Sequence, residues 1–225
     1  SGAFDDHVKL FVPDQVGEKP VMPTLGEKGL VFPEDKAKPA MRDYTPRRYD
    51  PVKNELEVDF VLDHEGPATD WANQAKPGHY LGVAGPRGSF VVPTAFDWHL
   101  LIGDETAIPA IGRRLEELPA TTKAIVVIKT SKDSSRIALT SQCPVEEYWV
   151  SEESQTPTEI GILEGAVRQL RLPEGEGFVW AGGEYNDIKA VRQYIVDELG
   201  IDKSRVRASS YWRATALATH EQFND

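Results

Sequence analysis

The hydrophobic pattern of the chain changes near Pro93, and this change constrains the fold more than any other feature. Before Pro93 the sequence contains strand patterns, glycines and prolines but little convincing helix. After it, apolar runs such as residues 124–128 and 178–181 alternate with helical patterns, which is typical of a mostly parallel sheet covered on both faces. The 225 residues suffice for two domains of ordinary size. We therefore expect an all-β domain over residues 1–95 and an α/β domain over residues 96–225.

Three helices are predicted in the second domain, because apolar residues recur there at helical spacing. The second helix is expected to stop at Gly200, since glycine is typical of the position just after a helix. The third runs from about residue 158 to residue 170. The apolar positions of the first two helices are Ile108, Ile111, Leu115 and Leu118, and then Ile188, Val191, Ile195 and Leu199.

Two segments of the first domain have opposite characters. In residues 56–62 the even positions are apolar and most of the intervening ones are acidic, which is the period of a half-buried strand. Residues 14–40 contain many prolines and show no strong periodicity. We expect them to form an irregular excursion between strands, and we favour a plain surface loop over a flap above a binding pocket.

The string Arg42-Asp-Tyr44-Thr45-Pro-Arg47 lies just ahead of the alternating segment and offers a flavin three kinds of contact. Two guanidiniums can hold a pyrophosphate, the tyrosine ring can cover an isoalloxazine face, and the threonine hydroxyl can reach a ring nitrogen. A string this short also occurs by chance, so a purely structural role is the alternative. Residues 63–78 follow, and their small side chains would let a diphosphate approach main-chain N–H groups closely.

Four segments in this order resemble the siderophore-interacting protein family, the flavin-dependent ferric-siderophore reductases within the ferredoxin-reductase superfamily. They are residues 42–47, 63–78, 85–89 and 100–111. The resemblance continues through residues 179–184 and 211–213. It implies an antiparallel Greek-key β-barrel that holds FAD, followed by a three-layer α/β domain that receives NAD(P)H. In the family, strands normally precede the segment that matches residues 7–13, so one or two barrel strands are expected to be missing here.

The resemblance also implies which residues bind the cofactor and the substrates. FAD is expected to contact Arg42, Tyr44, Thr45, Arg47, Asp63, His64, Gly66, Ala68, Trp71 and Ala72. The nicotinamide nucleotide is expected at the carboxyl edge of the sheet, beside Asp104, Glu105, Thr106, Ala107, Gly182 and Glu184. An anionic ferric siderophore is expected beside Lys9, Arg87 and Arg213. For Asp104 and Glu105 the alternative is a helix cap, a role that acids fill well at an N-terminus.

The donor is expected to be NADPH rather than NADH. Residues 129–136 carry cations and serines after a predicted strand, which suits a 2′-phosphate, whereas an acidic residue there would favour the ribose hydroxyls of NADH. The alternative is that these lysines are solvated loop residues. Two departures from the family bear on this site. The usual Ala-Gly-Glu is stretched to Ala-Gly-Gly-Glu over residues 181–184, and Ser210 and Ala214 stand where glycines are expected.

The composition bears on several other functions. The formal charge of −11 gives no global support to nucleic-acid binding. No apolar run approaches the roughly 20 residues that span a bilayer, so membrane insertion is not expected. The single cysteine, Cys143, rules out an internal disulfide and fits the cytoplasm. The five histidines show no metal-binding spacing, so we expect no protein metal site, and iron would arrive inside its chelate.

The expected function is therefore reduction of Fe(III) in a siderophore, with electrons passing from NAD(P)H through FAD and with release of Fe(II). A hydride carries two electrons whereas Fe(III) accepts one, and a flavin can take two electrons and release them singly. No side chain need act as acid, base or nucleophile, so no catalytic residue is assigned. Two alternatives remain open: a general flavin oxidoreductase or ferredoxin-linked electron carrier, and a non-enzymatic flavoprotein that binds ferric siderophores. The chain is expected to act as a monomer.

Overall fold

The chain divides into two structural units close to Phe90. The computed structural model describes residues 3–27, 29–86, 89–155, 159–214 and 221–222. Asp5–Ser89 forms the first unit, and Phe90–Asp225 forms the second together with Ser1–Phe4. We call these the β unit and the α/β unit.

The β unit, in its described residues, consists of short antiparallel strands and one helix. The strands are β1 (Val8–Val12), β2 (Thr24–Gly26), β3 (Gly29–Val31), β4 (Ala40–Tyr44), β5 (Pro46–Asp50), β6 (Glu55–Val58) and β7 (Gly82–Ala84), and helix α1 spans Pro67–Gln74. The described strands pair as a β4-β1-β7 sheet and as the two hairpins β2-β3 and β5-β6.

Strand β1 is the centre of the β unit because it is buried on both faces. Leu10 and Phe11 point to opposite faces of the strand, and both are fully buried. Leu10 lies opposite Arg42 of β4 and Val83 of β7. The position of Arg42 along the sheet is therefore fixed by pairing with a strand that is itself held by the core.

Two predictions for the β unit need correction. Residues 14–40, expected to be irregular, contain the β2-β3 hairpin, whose strands of three residues are too short to show a period. The strand expected over residues 56–62 ends at Val58. The chain turns towards α1 after that point, where the Thr69 hydroxyl donates to the carbonyl of Val61 at 3.3 Å.

The α/β unit is built on a mostly parallel sheet, as the sequence predicted. Its strands are β8 (Trp98–Asp104), β9 (Lys123–Thr130), β10 (Val145–Ser151), β11 (Gly177–Glu184), β12 (Val206–Trp212) and β13 (Glu221–Gln222), and its helices are α2 (Ile108–Glu117), α3 (Ile162–Arg168) and α4 (Tyr185–Gln193). The strand order is β10-β9-β8-β11-β12-β13, in which the first five strands are parallel and β13 is antiparallel to β12.

Helices cover both faces of this sheet, which explains the continuous apolar runs of its central strands. Successive residues of β9 alternate between two cores: Val126 packs with α2, whereas Ile125 and Val127 pack with α3 and α4. Because successive side chains of a strand point to opposite faces, a strand buried on both faces needs apolar residues at every position. The predicted doubly covered sheet is thus confirmed.

The predicted helices are largely confirmed. In α2 the expected apolar residues Ile108, Ile111 and Leu115 are buried. Helix α4 continues as a π-helical turn over Tyr194–Glu198, and Gly200 follows with φ of +67°, as expected of a residue that ends a helix. Leu199, expected on the buried face, is exposed. The described part of the third helix is α3; residue 158 lies outside the described residues.

The unit boundary differs from the one drawn on the sequence, which assigned residues 1–95 to the β domain. Phe4 is fully buried in the core of the α/β unit, edge-on to Trp180 at 5.4 Å between ring centroids. The buried guanidinium of Arg114 donates to the carbonyls of Val92 at 3.1 Å and Pro93 at 2.6 Å. These contacts place Phe4, Val92 and Pro93 in the α/β unit.

The strand order reverses between β8 and β11, and this feature places a candidate ligand site. From β8 the chain proceeds outwards to β9, whereas from β11 it proceeds in the other direction to β12. Ligands of open parallel sheets bind outside the carboxyl ends of the strands at such a reversal. The residues at those ends are Asp104 and Glu184. None of the helices within the described residues is long and apolar enough to cross a membrane.

Candidate functional site

Arg42 and Tyr44 lie two residues apart on β4 and therefore share one face of the strand. Both are half-buried. Burial raises the pKa of the Tyr44 phenol above its ordinary value, and the nearby charge of Arg42 offsets part of that rise. One terminal nitrogen of Arg42 donates to the carbonyl of Met41 at 2.8 Å. A guanidinium is thus held beside a partly accessible aromatic ring.

The ring of Tyr44 is the first of three neighbouring rings, which we call the aromatic row. The centroid of Tyr44 lies 4.7 Å from that of Phe60, and Phe60 lies 5.9 Å from Trp71 of α1. The sequence prediction included Tyr44 and Trp71 but missed Phe60. Its signal was present, since Phe60 is an apolar member of the alternating segment that precedes α1.

The N-terminus of α1 is open in a way that suits an anion. Its N-cap is Gly66, with φ of +145°, and no side chain caps it among the described residues. Nothing lies within 4 Å of the position that a Cβ on Gly66 would occupy. Because the first N–H groups of a helix have no partner within the helix and attract negative charge, this end can receive a phosphate. Ala68 and Thr69 in this turn are buried.

These features fit a flavin dinucleotide. Within the described residues, the indole nitrogen of Trp71 is buried without a hydrogen-bond partner, and a buried N–H group normally has one. The site therefore contains an unsatisfied donor, an open helix N-terminus for phosphate, and a half-buried tyrosine ring beside a cation. A dinucleotide carries acceptors, phosphates and a flat ring system that match these three features.

The remaining predicted flavin contacts lie on the same stretch of the β unit. Thr45 is buried between β4 and β5, and Arg47 is half-buried on β5. Asp63 and His64 lie on the segment between β6 and α1, and Ala72 lies on α1 itself. Their contacts with the cofactor remain predictions.

In the α/β unit, the carboxylate of Asp104 joins the carboxyl ends of three strands. One oxygen accepts from the backbone N–H of Thr106 at 2.9 Å and from its hydroxyl at 2.5 Å. The other accepts from the backbone N–H of Glu184 and the indole N–H of Trp212, both at 2.8 Å. Burial raises the pKa of Asp104 above its ordinary value, and the four donors offset part of that rise. Asp104 does cap the helical turn that follows it, which was the alternative role considered for it.

The backbone around this carboxylate is irregular at the residues where the sequence departs from the family. Gly183 has φ of +148°, and a Cβ there would lie 2.6 Å from an oxygen of Asp104. The register with β12 shifts at this point, so that Gly183 lies opposite Ser210 but Glu184 lies opposite Trp212. Such irregularities redirect side chains, and here the indole of Trp212 meets Asp104. Trp212 is half-buried.

The two glutamates predicted to bind the nucleotide also have partners within the chain. Glu184 caps α4 by accepting from the backbone N–H groups of Asn186 at 2.6 Å and Asp187 at 3.2 Å. Glu105 accepts from the backbone N–H of Ser131 at 2.5 Å and from its hydroxyl at 2.9 Å. Gly182 lies near the end of β11, and Thr106 and Ala107 lie in the helical turn Glu105–Ala107 that follows β8. The helix N-termini at this edge are therefore closed by the chain's own carboxylates, unlike that of α1.

Lys129, the first cation of the predicted phosphate-binding segment, lies between two carboxylates. Its ammonium is 2.6 Å from Asp187 and 2.9 Å from Glu152. Burial by itself lowers the pKa of Lys129, but its hydrogen bonds to these two groups raise it well above the ordinary value. Lys129 thus ties the end of β9 to α4 and to the end of β10, while Lys132 is exposed.

The three cations predicted to attract a siderophore lie in different parts of the chain. Lys9 of β1 is paired with Asp43 at 2.6 Å. Arg213 stacks its guanidinium on the ring of Tyr185 at 3.7 Å, within the α/β unit. Arg87 lies outside the described residues. Their convergence on one ligand remains a prediction.

Two family models match the chain and together cover most of it. Residues 1–90 match the siderophore-interacting FAD-binding domain. Residues 96–215 match the model described as siderophore-interacting protein. A relative in Escherichia coli (strain K12), named NADPH-dependent ferric-chelate reductase, is 37% identical over 220 residues, which are 95% of this chain and 82% of the relative.

Solved structures are also similar to this chain. The crystal structure of a siderophore utilization protein from T. fusca matches with a TM-score of 0.84 and 34% identity, over 97% of this chain and 83% of that one. The cytochrome b5 reductase domain of Ulva prolifera nitrate reductase shares the fold alone, with a TM-score of 0.56 and 12% identity over 91% and 84% of the two chains. With both domain models matched and a relative this similar over nearly its whole length, the chain belongs to the siderophore-interacting protein family.

Proposed function

We propose that this chain is an FAD-dependent ferric-siderophore reductase that takes electrons from NADPH and delivers them to Fe(III) held in a siderophore, releasing Fe(II). The observation that carries the proposal is the site on the β unit, where an open helix N-terminus, a cation beside a half-buried tyrosine and an unsatisfied Trp71 N–H suit one dinucleotide. The name of the Escherichia coli relative, an NADPH-dependent ferric-chelate reductase, supports the same reaction.

In this proposal, each predicted flavin contact has a physical task. The guanidiniums of Arg42 and Arg47 neutralise the diphosphate, and the N-terminus of α1 donates to it past Gly66. Tyr44 covers one face of the isoalloxazine, and the Thr45 hydroxyl hydrogen-bonds the ring. FAD supplies the chemistry that joins a two-electron donor to a one-electron acceptor. One hydride therefore suffices for two ferric ions.

The nicotinamide donor is placed at the carboxyl edge of the parallel sheet, beside Trp212 and the strand ends of β8 and β11. The preference for NADPH is assigned to the segment after β9. Lys132 is exposed and, with the neighbouring serines, is the candidate for a contact with the 2′-phosphate.

The acceptor side of the proposal depends on charge. Lys9, Arg87 and Arg213 would attract an anionic ferric siderophore against an overall charge of −11. We further propose that the antiparallel strands of the β unit belong to a Greek-key barrel, and that the protein acts as a monomer in the cytoplasm.

The test is anaerobic turnover of the FAD-loaded chain with a ferric siderophore as acceptor and a ferrous trap as the readout. NADPH, NADH and reduced ferredoxin are compared as donors. Fe(II) production that depends on NADPH supports the proposal. Fe(II) production with reduced ferredoxin alone would show that ferredoxin, and not NADPH, is the electron donor. A flavin that is reduced by NADPH but passes no electrons to iron would show a general flavin oxidoreductase instead, and siderophore binding without any flavin reduction would show a binding protein.

A further inference from the structure

Asp104 is at the centre of the predicted nucleotide site, and donors of the chain occupy both of its carboxylate oxygens. It is 2% exposed, and its two oxygens already accept from two donors each. A ribose hydroxyl or an amide of a dinucleotide would have to displace one of these donors and leave it buried without a partner, which is costly. The carboxylate of Asp104 is therefore poorly suited to bind the nicotinamide nucleotide directly.

The partners of Asp104 are better placed to meet a ligand than Asp104 is. Trp212 is half-buried and lies at the carboxyl edge, opposite Glu184. Its indole N–H is fixed by Asp104 at 2.8 Å. A ring whose polar end is tied down in this way keeps one orientation, and an aromatic face with one orientation is suited to stack on a flat heterocycle.

We propose that Asp104 is a positioning residue of the donor site, which orients the indole of Trp212 for contact with the nicotinamide nucleotide and does not itself touch that nucleotide. This inference rests on the proposed function, because it concerns the binding of the donor. It reassigns Asp104, which the sequence had placed among the nucleotide contacts, and it adds Trp212 to them.

The substitution Asp104→Asn tests the orienting hydrogen bond with little change of shape. An asparagine has one oxygen acceptor and one nitrogen donor. Whichever way the amide turns, two of the four N–H and O–H donors face a nitrogen that cannot accept. In one orientation the amide oxygen still accepts from the backbone N–H and the hydroxyl of Thr106. In the other it still accepts from the backbone N–H of Glu184 and the indole N–H of Trp212. Trp212→Phe removes the indole donor but retains an aromatic ring.

The experiment is a double-mutant cycle on the FAD-loaded full chain, with the dissociation constant of NADP⁺ measured by calorimetry. We expect Asp104→Asn to weaken NADP⁺ binding roughly tenfold, equivalent to about 1.4 kcal/mol, and to change it less than about threefold when Trp212 is already phenylalanine. The emission attributable to Trp212, obtained by subtracting the spectrum of the Trp212→Phe variant, should shift when Asp104 is replaced. Direct contact with the nucleotide predicts instead an equal loss in both backgrounds.

A matched control is Asp202→Asn. Asp202 caps the helical turn before β12 and accepts from the backbone N–H of Ser204 at 2.8 Å and from its hydroxyl at 2.6 Å, but it lies at the amino end of the strand. Its replacement should leave NADP⁺ binding unchanged. An equal loss in both Trp212 backgrounds, or no loss from Asp104→Asn when the emission of Trp212 shifts, overturns the inference alone. If the emission does not shift, the amide has kept its bond to Trp212, and Asp104→Leu, which has no acceptor, replaces Asp104→Asn in the same cycle with the same two outcomes. Failure of the wild-type chain to bind NADP⁺ and to turn over with NADPH overturns the proposed function as well.

Discussion

At the scale of single residues, we expect replacement of Arg42 to weaken cofactor binding and to leave folding almost unchanged. Its side chain is half-buried on β4 and, within the described structure, donates to the carbonyl of Met41. Hydrogen bonds to charged groups contribute about 1.5 to 3 kcal/mol, so Arg42→Ala should weaken FAD binding by roughly 10- to 100-fold. The melting temperature of the apoprotein should change little, because no core packing is lost.

Quenching of flavin fluorescence on titration with apoprotein measures this affinity. Arg48→Ala is the matched control, since Arg48 lies one residue beyond Arg47, carries the same charge and is exposed. It should retain the wild-type affinity. Equal losses in the two variants would show that net charge alone, and not a phosphate contact by Arg42, governs FAD binding.

His99 should make the stability of the α/β unit sensitive to acid. It is fully buried on β8, both ring nitrogens lack a partner among the described residues, and Phe96 and Phe178 flank the ring. Burial, with a smaller contribution from the charge of Arg114, lowers the pKa of His99 to about 3. The unfolded chain takes up the proton near pH 6.5, so stability is complete above that pH and falls as pH drops towards 3.

The expected loss from this one group is roughly 2 kcal/mol between neutral pH and about pH 5. Urea unfolding followed by tryptophan fluorescence measures it. His99→Gln, which does not titrate, should lower stability at both pH values but remove most of the difference between them. His79→Gln, in the β unit, should leave the difference intact. If His99→Gln lost as much stability between neutral pH and about pH 5 as the wild type does, groups other than His99 would be responsible for the acid sensitivity.

At the scale of elements, glycines at the strand ends are required by close packing, whereas a helix glycine is not. A Cβ on Gly103 would clash with that of Ala107 and would lie 2.5 Å from the carbonyl oxygen of Gly182. Gly165 of α3 has nothing within 4 Å of the same position. Gly103→Ala should destabilise the chain by about 1 to 3 kcal/mol, and Gly165→Ala should stabilise it by roughly 0.5 to 1 kcal/mol. Thermal unfolding compares the two, and a shift of the same sign in both would refute the packing argument.

The elements also show what could be predicted from sequence. Strand β9 was predictable from its continuous apolar run and helix α2 from its helical period, because each element is long enough to display its pattern. The β2-β3 hairpin, with strands of three residues, was not predictable. At the site, residue types and order indicated Arg42, Tyr44 and Trp71. The hydrogen bond between Asp104 and Trp212 could not be predicted, since it joins residues 108 positions apart at a shift of strand register.

At the scale of the whole molecule, Phe4, which precedes the β unit in sequence, belongs to the core of the α/β unit. Phe4 is completely buried against Trp180, and the guanidinium of Arg114 lies 5.1 Å from its ring centroid. The neighbouring Arg113 donates to the carbonyl of Ala3 at 3.0 Å. No local pattern could assign Phe4 to this core, because its partners lie more than a hundred residues away in sequence.

Phe4→Ala should therefore destabilise the α/β unit, although position 4 precedes the whole flavin site. Replacing a buried phenylalanine by alanine costs about 3 to 5 kcal/mol. Four of the five tryptophans, residues 98, 149, 180 and 212, lie in the α/β unit, so urea unfolding followed by their fluorescence should shift to lower denaturant. Phe90→Ala is the control: its ring is 47% exposed on the guanidinium of Arg207, and its loss should cost far less. FAD affinity measured below the unfolding transition should be unchanged in both variants, and a Phe4→Ala variant that lost FAD while keeping its tryptophan transition would place Phe4 with the β unit instead.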